Sequence, residues 1–105
     1  MRAMSNITEY SARVGTTSIE SLAFRKCRSL ASVTLPEGLL TIGDAAFSYC
    51  NSLRQIRVPA SVEHIGVAAF CKSGLVSIRF MGIPKVIESD TFEGCGQLKE
   101  ITSVY

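Results

Sequence analysis

Four phenylalanines recur along this chain at a nearly constant interval, and this interval constrains the fold more than any other feature. Phe24, Phe47, Phe70 and Phe92 are separated by 23, 23 and 22 residues. A fixed period of about 20 to 30 residues is typical of solenoids, in which each repeat is a coil that buries its apolar side only when neighbouring coils stack on it. The sequence therefore predicts a stack of about four coils of 22–23 residues.

Other positions keep the same period, and the repeating unit is Ile-x-x-x-Ala-Phe-x-x-Cys-x-x-Leu-x-x-Ile-x-Val-Pro. The third coil is one residue shorter, because Ser73, Gly74 and Leu75 replace the Cys-x-x-Leu spacing. Each column of equivalent positions is predicted to face the core. The columns are Ile19, Ile42, Ile65 and Ile87; Ala23, Ala46, Ala69 and Thr91; Cys27, Cys50, Ser73 and Cys95; Leu30, Leu53, Leu75 and Leu98; and Val33, Ile56, Ile78 and Ile101.

Each part of the unit predicts a local structure. Ile56 and Val58 alternate with polar residues and are β-branched, which favours a strand with one buried face. Pro59 has no N–H group and is expected to end that strand. Residues 62–65 are too short for a helix and predict a second brief extended segment. The glycine and alanine pair before Phe47 predict a single turn of α-helix or 3₁₀-helix.

Residues 42–59 and their equivalents resemble the BspA-like leucine-rich repeats, and the resemblance covers roughly residues 19–101. The commoner leucine-rich repeats carry Asn or Cys a few residues after the strand, whereas this chain has Gly38, Ser61 and Ile83 there. The resemblance implies an α/β repeat solenoid: a right-handed stack of short parallel strands joined by single helical or 3₁₀ turns. It also implies roles in adhesion and in binding host or partner proteins on bacterial and protist surfaces.

The two ends differ from the repeat. Residues 1–18 are predicted to be a degenerate N-terminal segment with a first strand, because Tyr10 and Ala12 lie one period before Val33 and Leu35. Residues 19–105 are predicted to form the solenoid, with a last strand that ends near Tyr105. Neither end resembles a polar capping repeat, so the exposed end strands predict self-association. A piece of a longer array, a short divergent protein and an oligomer that hides its ends all fit this pattern.

The N-terminus lacks the apolar stretch of about 7 to 15 residues that a signal peptide needs. The chain is therefore expected to be cytoplasmic if it is complete, and exposed at the cell surface or secreted if it is part of a longer protein. No run approaches the roughly 18 apolar residues of a transmembrane helix, so no membrane span is predicted.

The four cysteines are spaced 23, 21 and 24 residues apart, which matches no zinc pattern and predicts no metal site. Cys27, Cys50 and Cys95 share one column and are expected to behave as small core hydrophobes. The strand spacing permits a Cys27–Cys50 disulfide, although parallel side chains in register point the same way. Cys71 lies outside the column, and we expect it to be the most accessible thiol.

An enzymatic role is not predicted. The single histidine, His64, is the only candidate base for a nucleophilic triad, and its equivalents Ser18, Thr41 and Val86 indicate a tolerant surface position. Asp44 and Asp90 are expected to cap the predicted helical turns rather than act as an acid–base pair. No cofactor is predicted.

The outer side of the strands offers the best candidate binding residues, which are Arg54, Arg57, Arg79 and Lys99. Arg57 and Arg79 are predicted to be neighbours about 4.8 Å apart across the sheet, where like charges are mildly unfavourable. Such a pair is consistent with an acidic protein partner, or with long side chains that extend into water and shield the strands. The net charge is only +2 and no aromatic residues interleave, so no nucleic-acid partner is predicted.

From these features the sequence predicts a non-enzymatic protein-recognition module that binds a partner protein, or mediates adhesion, through its strand face. The alternatives are a purely structural spacer or scaffold coil and a segment of a larger surface protein.

Overall fold

Nine short strands follow one another in the computed structural model, which describes residues 6–103. The predicted segments 1–18 and 19–105 extend into residues 1–5 and 104–105, which lie outside the described residues. In chain order the strands are β1 (Glu9–Ser11), β2 (Ser18–Ile19), β3 (Ser32–Thr34), β4 (Thr41–Ile42), β5 (Gln55–Val58), β6 (His64–Ile65), β7 (Ser77–Phe80), β8 (Val86–Ile87) and β9 (Glu100–Ser103).

All strand pairs are parallel, and each strand pairs with one that lies a single period away in the sequence. The odd-numbered strands form the strand face, which consists of a β1-β3 sheet and a β5-β7-β9 sheet. The two-residue strands form a second sheet in the order β2-β4-β6-β8. Ile42 pairs with Ile19 on one side and Ile65 on the other. This register confirms the predicted solenoid of parallel strands.

A ladder of aromatic rings runs through the core. The centroids of Phe24 and Phe47 are 5.4 Å apart, those of Phe47 and Phe70 are 5.6 Å apart, and those of Phe70 and Phe92 are 6.0 Å apart. Their planes are within 7° of parallel. Phe47 and Phe70 are fully buried, whereas Phe92 is half-buried. The 23-residue period therefore produces the continuous stack that the sequence predicts.

The segment around each phenylalanine is a series of hydrogen-bonded turns in place of the predicted single turn of α-helix or 3₁₀-helix, although some of its hydrogen bonds are of the 3₁₀ type. The N–H groups of Ala23 and Cys27 close turns of the 3₁₀ type onto carbonyls three residues back. The N–H groups of Leu22, Phe24 and Lys26 instead donate to carbonyls of the next coil. Residues 6–103 accordingly contain no helix long and apolar enough to cross a bilayer.

This alternation depends on left-handed backbone conformations at two columns. The φ angles lie between 54° and 74° at Leu22, Ala45, Ala68 and Asp90, and at Lys26, Tyr49, Lys72 and Gly94. Residues other than glycine pay a steric cost in this region. The first three coils recover part of that cost, because the reversal directs alternate N–H groups along the solenoid axis, where they bond to the next coil.

The two ends of the stack are covered to different extents. At the N-terminal end the Tyr10 ring packs 4.5 Å from Phe24, centroid to centroid, and Phe24 is 3% exposed. At the C-terminal end Ile87 and Ile101 are 45% and 58% exposed, although their equivalents in the preceding coil, Ile65 and Ile78, are buried. The N-terminal segment therefore covers the first coil, whereas the last coil presents its core columns to solvent.

Candidate functional site

A groove of about 620 Å³ lies across the strand face, and we call it the strand-face groove. Its walls come from β3, β5, β7 and β9. The polar side chains that line it are Ser32, Gln55, Arg57, Ser77, Arg79, Glu100 and Thr102. Ile56 and Ile78 are buried beneath it. Because side chains alternate along a strand, this inward packing directs the residues on either side of each isoleucine into the groove.

Arg57 and Arg79 are direct neighbours in this groove, since they are paired residues of β5 and β7. Both are exposed. The carboxylate of Glu37 lies 3.8 Å from the Arg57 guanidinium, and both side chains are more than half exposed. Exposed ion pairs of this kind contribute only about 0–1 kcal/mol. Arg79 makes no ion pair with any residue of the described part of the chain, although Glu100 lines the same groove.

Beneath the groove, the backbone pairing of the strand face is interrupted between its two sheets. No backbone hydrogen bond joins β3 to β5 within residues 6–103. One coil further on, the Met81 N–H donates to the Val58 carbonyl at 2.9 Å. Pro59 occupies the position equivalent to Met81, and Leu35 the position equivalent to Val58. Pro59 has no N–H group that could donate to the Leu35 carbonyl. The proline that marks the strand end thus also removes one bond that would close this interruption.

The structure divides the predicted binding residues between different surfaces. Arg57 and Arg79 share the strand-face groove. Arg54 instead lines a second groove of about 560 Å³, the corner groove, together with Tyr49 and Lys72. Lys99 is exposed and lines neither of these two grooves. Arg57 and Arg79 therefore share one groove, whereas Arg54 and Lys99 lie just before β5 and β9.

Three cations surround one tyrosine beside the corner groove, a cluster that the sequence reasoning missed. The Arg25 guanidinium carbon lies 5.5 Å from the centroid of the Tyr49 ring, and the Nζ atoms of Lys26 and Lys72 each lie 5.8 Å from it. Cations within about 6 Å of an aromatic face are attracted by its quadrupole. The periodicity could have predicted this cluster, because Lys26, Tyr49 and Lys72 are successive members of one column.

The cysteines are all free thiols. Cys50 is buried, and its Sγ donates to the Phe24 carbonyl of the preceding coil at 3.1 Å. Burial, with a smaller effect of Cys27, raises the pKa of the Cys50 thiol to about 12. Cys71 is half-buried, and burial followed by the Glu93 charge raises its pKa. A raised pKa disfavours the nucleophilic thiolate, so accessibility alone does not make Cys71 reactive.

The remaining titratable candidates stabilise contacts between coils. The half-buried His64 places its Nε2 atom 2.9 Å from the Glu88 carboxylate of the next coil. Asp44 accepts a hydrogen bond from the Val67 N–H at 2.8 Å, and so it bonds the neighbouring coil rather than capping a helix. Across the described residues no group of three or more His, Cys, Asp or Glu side chains is placed to hold a metal ion.

Comparison with known proteins gives the same architecture. A family model described as BspA type leucine rich repeat region, with six copies, matches residues 3–104. The crystal structure of a leucine-rich repeat protein from Bacteroides ovatus ATCC 8483 is similar, with 29% sequence identity and a TM-score of 0.82. The similarity covers 91% of this chain and 25% of that one, so the chain spans a quarter of that protein's length. A search of curated proteins found no match. The family match extends over nearly the whole sequence, and the chain belongs to the BspA-type leucine-rich repeat family.

Proposed function

We propose that this chain is a non-enzymatic protein-recognition module whose strand-face groove binds an acidic segment of a partner protein. The observation that carries the proposal is the placement of Arg57 beside Arg79 on adjacent strands of the groove. Like charges in directly paired positions of a sheet are unfavourable. A ligand that supplies carboxylates converts this repulsion into a favourable interaction.

Arginine suits this role because its planar guanidinium binds a carboxylate through two parallel hydrogen bonds. Glu37 already approaches Arg57, but the exposed pair is weak enough for a partner carboxylate to displace it. The polar residues Gln55 and Ser77 lie in the same groove and can hydrogen-bond a peptide backbone. The groove therefore combines two strong charged contacts with weaker, adaptable polar ones.

The experiment replaces Arg57 and Arg79 by Ser together and measures capture of a panel of Asp- and Glu-rich peptides. A matched control replaces Arg13 and Lys85 by Ser, because both residues are exposed and lie outside the groove. The two variants change the net charge equally. We expect capture to fall in the Arg57/Arg79 variant alone. In the unmodified protein it should weaken between 0.1 M and 1 M salt, since the Debye length falls from about 10 Å to about 3 Å.

The opposite result would overturn the proposal. If every peptide binds equally well to the Arg57/Arg79 variant while its unfolding free energy rises slightly, the arginines serve as solvated cover for the strands, and the recognition site lies elsewhere. If no peptide binds to the unmodified protein, the scaffold alternative is favoured. Adhesion at a cell surface is a narrower form of the recognition proposal. It would require the same groove to bind a host or surface protein.

A further inference from the structure

The cluster formed by Arg25, Lys26, Tyr49 and Lys72, which we call the Tyr49 cluster, points to a second binding site. We propose that this cluster and the adjoining corner groove bind an acidic peptide in the polyproline II conformation, with carboxylates at every third residue. The site is separate from the strand-face groove, because neither Arg57 nor Arg79 lines the corner groove. The proposal therefore stands independently of the function proposed above.

Charge is segregated along the first three coils, which makes the site basic, whereas Glu93 follows the core phenylalanine of the fourth coil. In the first three coils, the stretches that follow the core phenylalanine, residues 25–31, 48–54 and 71–75, contain five cations and no carboxylate. The five are Arg25, Lys26, Arg28, Arg54 and Lys72. Acidic residues precede the phenylalanine instead, as Glu20 and Asp44 do. Within residues 6–103 none of the five cations makes an ion pair, so their charge is available to a ligand.

The geometry around Tyr49 selects the chemistry of that ligand. Lys26 and Lys72 belong to the coils on either side of Tyr49, and each extends its ammonium group over the ring. With three cations within about 6 Å of the ring centroid, the surroundings of the ring favour an anionic ligand over an aromatic or sugar ring that would stack on it. The cluster presents N–H donors to solvent, and such donors recognise oxyanions. The adjacent groove adds the amides of Asn51 and Gln97, which match the donors and acceptors of a peptide backbone.

The spacing of the cations selects the conformation of the peptide. Lys26 and Lys72 lie two coils apart in one column, and the phenylalanine rings two residues away are spaced by 5.4 Å and 5.6 Å per coil, which corresponds to about 11 Å for two coils. A polyproline II helix has three residues per turn and rises about 3.1 Å per residue, so side chains three residues apart share one side at about 9.3 Å. In a β-strand, residues three apart point to opposite faces. Residues two apart share a face of a strand but lie only about 7 Å apart. The long lysine side chains cover the small difference from the polyproline II repeat, so the two-coil spacing fits Glu-x-x-Glu in that conformation.

The test measures fluorescence anisotropy of a labelled peptide with four Glu-Pro-Pro repeats. Lys26→Gln combined with Lys72→Gln is expected to weaken binding about tenfold, because two exposed ion pairs are lost. Arg13→Gln with Lys85→Gln serves as a control with the same change in net charge. All variants are made in a background that carries Arg57→Gln and Arg79→Gln, which removes binding at the strand-face groove. In that background the Arg13/Lys85 control is expected to leave the affinity within about twofold, and circular dichroism checks that each variant is folded.

Two further probes make the outcome decisive. A peptide of the same composition with its glutamates grouped at one end should bind more weakly if the three-residue spacing matters, and a Gln-Pro-Pro peptide should not bind. Equal weakening by the Lys26/Lys72 and Arg13/Lys85 variants would overturn the proposal, since binding would then follow net charge alone. It would also be overturned if a sulfated polysaccharide bound in a Lys26- and Lys72-dependent way while the glutamate peptide did not.

Discussion

Replacing Phe47 by Ala tests whether the aromatic ladder stabilises the stack as the geometry indicates. Phe47 is fully buried and has ring neighbours on both sides, at 5.4 Å and 5.6 Å. Truncation of a buried phenylalanine to alanine costs about 3–5 kcal/mol. Phe92 is half-buried and has a single ring neighbour at 6.0 Å. We therefore expect Phe92→Ala to cost clearly less, because it removes one stacking contact and opens a site that solvent already reaches.

Urea unfolding measures both free energies. With a denaturant slope of about 1–3 kcal/mol per molar urea, Phe47→Ala should lower the midpoint by about 2 M. Phe47→Leu is the control, because it keeps most of the apolar volume and isolates the loss of ring stacking, worth about 0.5–1.5 kcal/mol per pair. Equal losses for Phe47→Ala and Phe92→Ala would contradict the reasoning. So would a loss below about 1 kcal/mol for Phe47→Ala, since the ladder would then have relaxed around the cavity.

The remaining predictions concern the thiol core and the uncovered coil. Folding raises the pKa of the Cys50 thiol from 9.0 to about 12, so this thiol ionises at a lower pH in the unfolded chain than in the folded one. The free energy of unfolding therefore falls as the pH rises from 9.0 towards 12. The loss should reach about 1.4 kcal/mol near pH 10, and Cys50→Ala should reduce this pH dependence of the urea midpoint. We also expect concentration-dependent self-association through the exposed Ile87 and Ile101 columns and the β9 edge. Sedimentation should show less association for Ile101→Lys, and a clean monomer at high concentration for the unmodified chain would refute the prediction.

The fold could be predicted because its cause is periodic. Equivalent positions have the same environment in every coil. Ile42, Phe47 and Leu53 could therefore be assigned to the core from their spacing alone. All three are fully buried. The spacing also predicted that Arg57 would lie beside Arg79, and the register of β5 and β7 confirms it. Parallel stacking preserves neighbours along a column, which is why a one-dimensional pattern was sufficient.

The turn around each phenylalanine was harder to predict. The alanine pair before Phe47 favours a helix by intrinsic propensity, but Ala45 adopts φ of 54°. Hydrogen bonds to the next coil, such as that from the Phe47 N–H to the Ala69 carbonyl at 2.8 Å, outweigh the local preference. Propensity describes an isolated segment, whereas these bonds exist only once two coils have stacked.

The sequence by itself determined the coil length, the core columns and the assignment of the family, because each depends on spacing along the chain. Tertiary structure decided which cations meet. Arg54 and Arg57 are three residues apart, yet they line different grooves, whereas Lys26 and Lys72 are 46 residues apart and approach the same ring. Side-chain contacts across the surface depend on where each coil turns and on the backbone conformation at that turn. These turns are fixed by hydrogen bonds between coils, which no single repeat encodes alone.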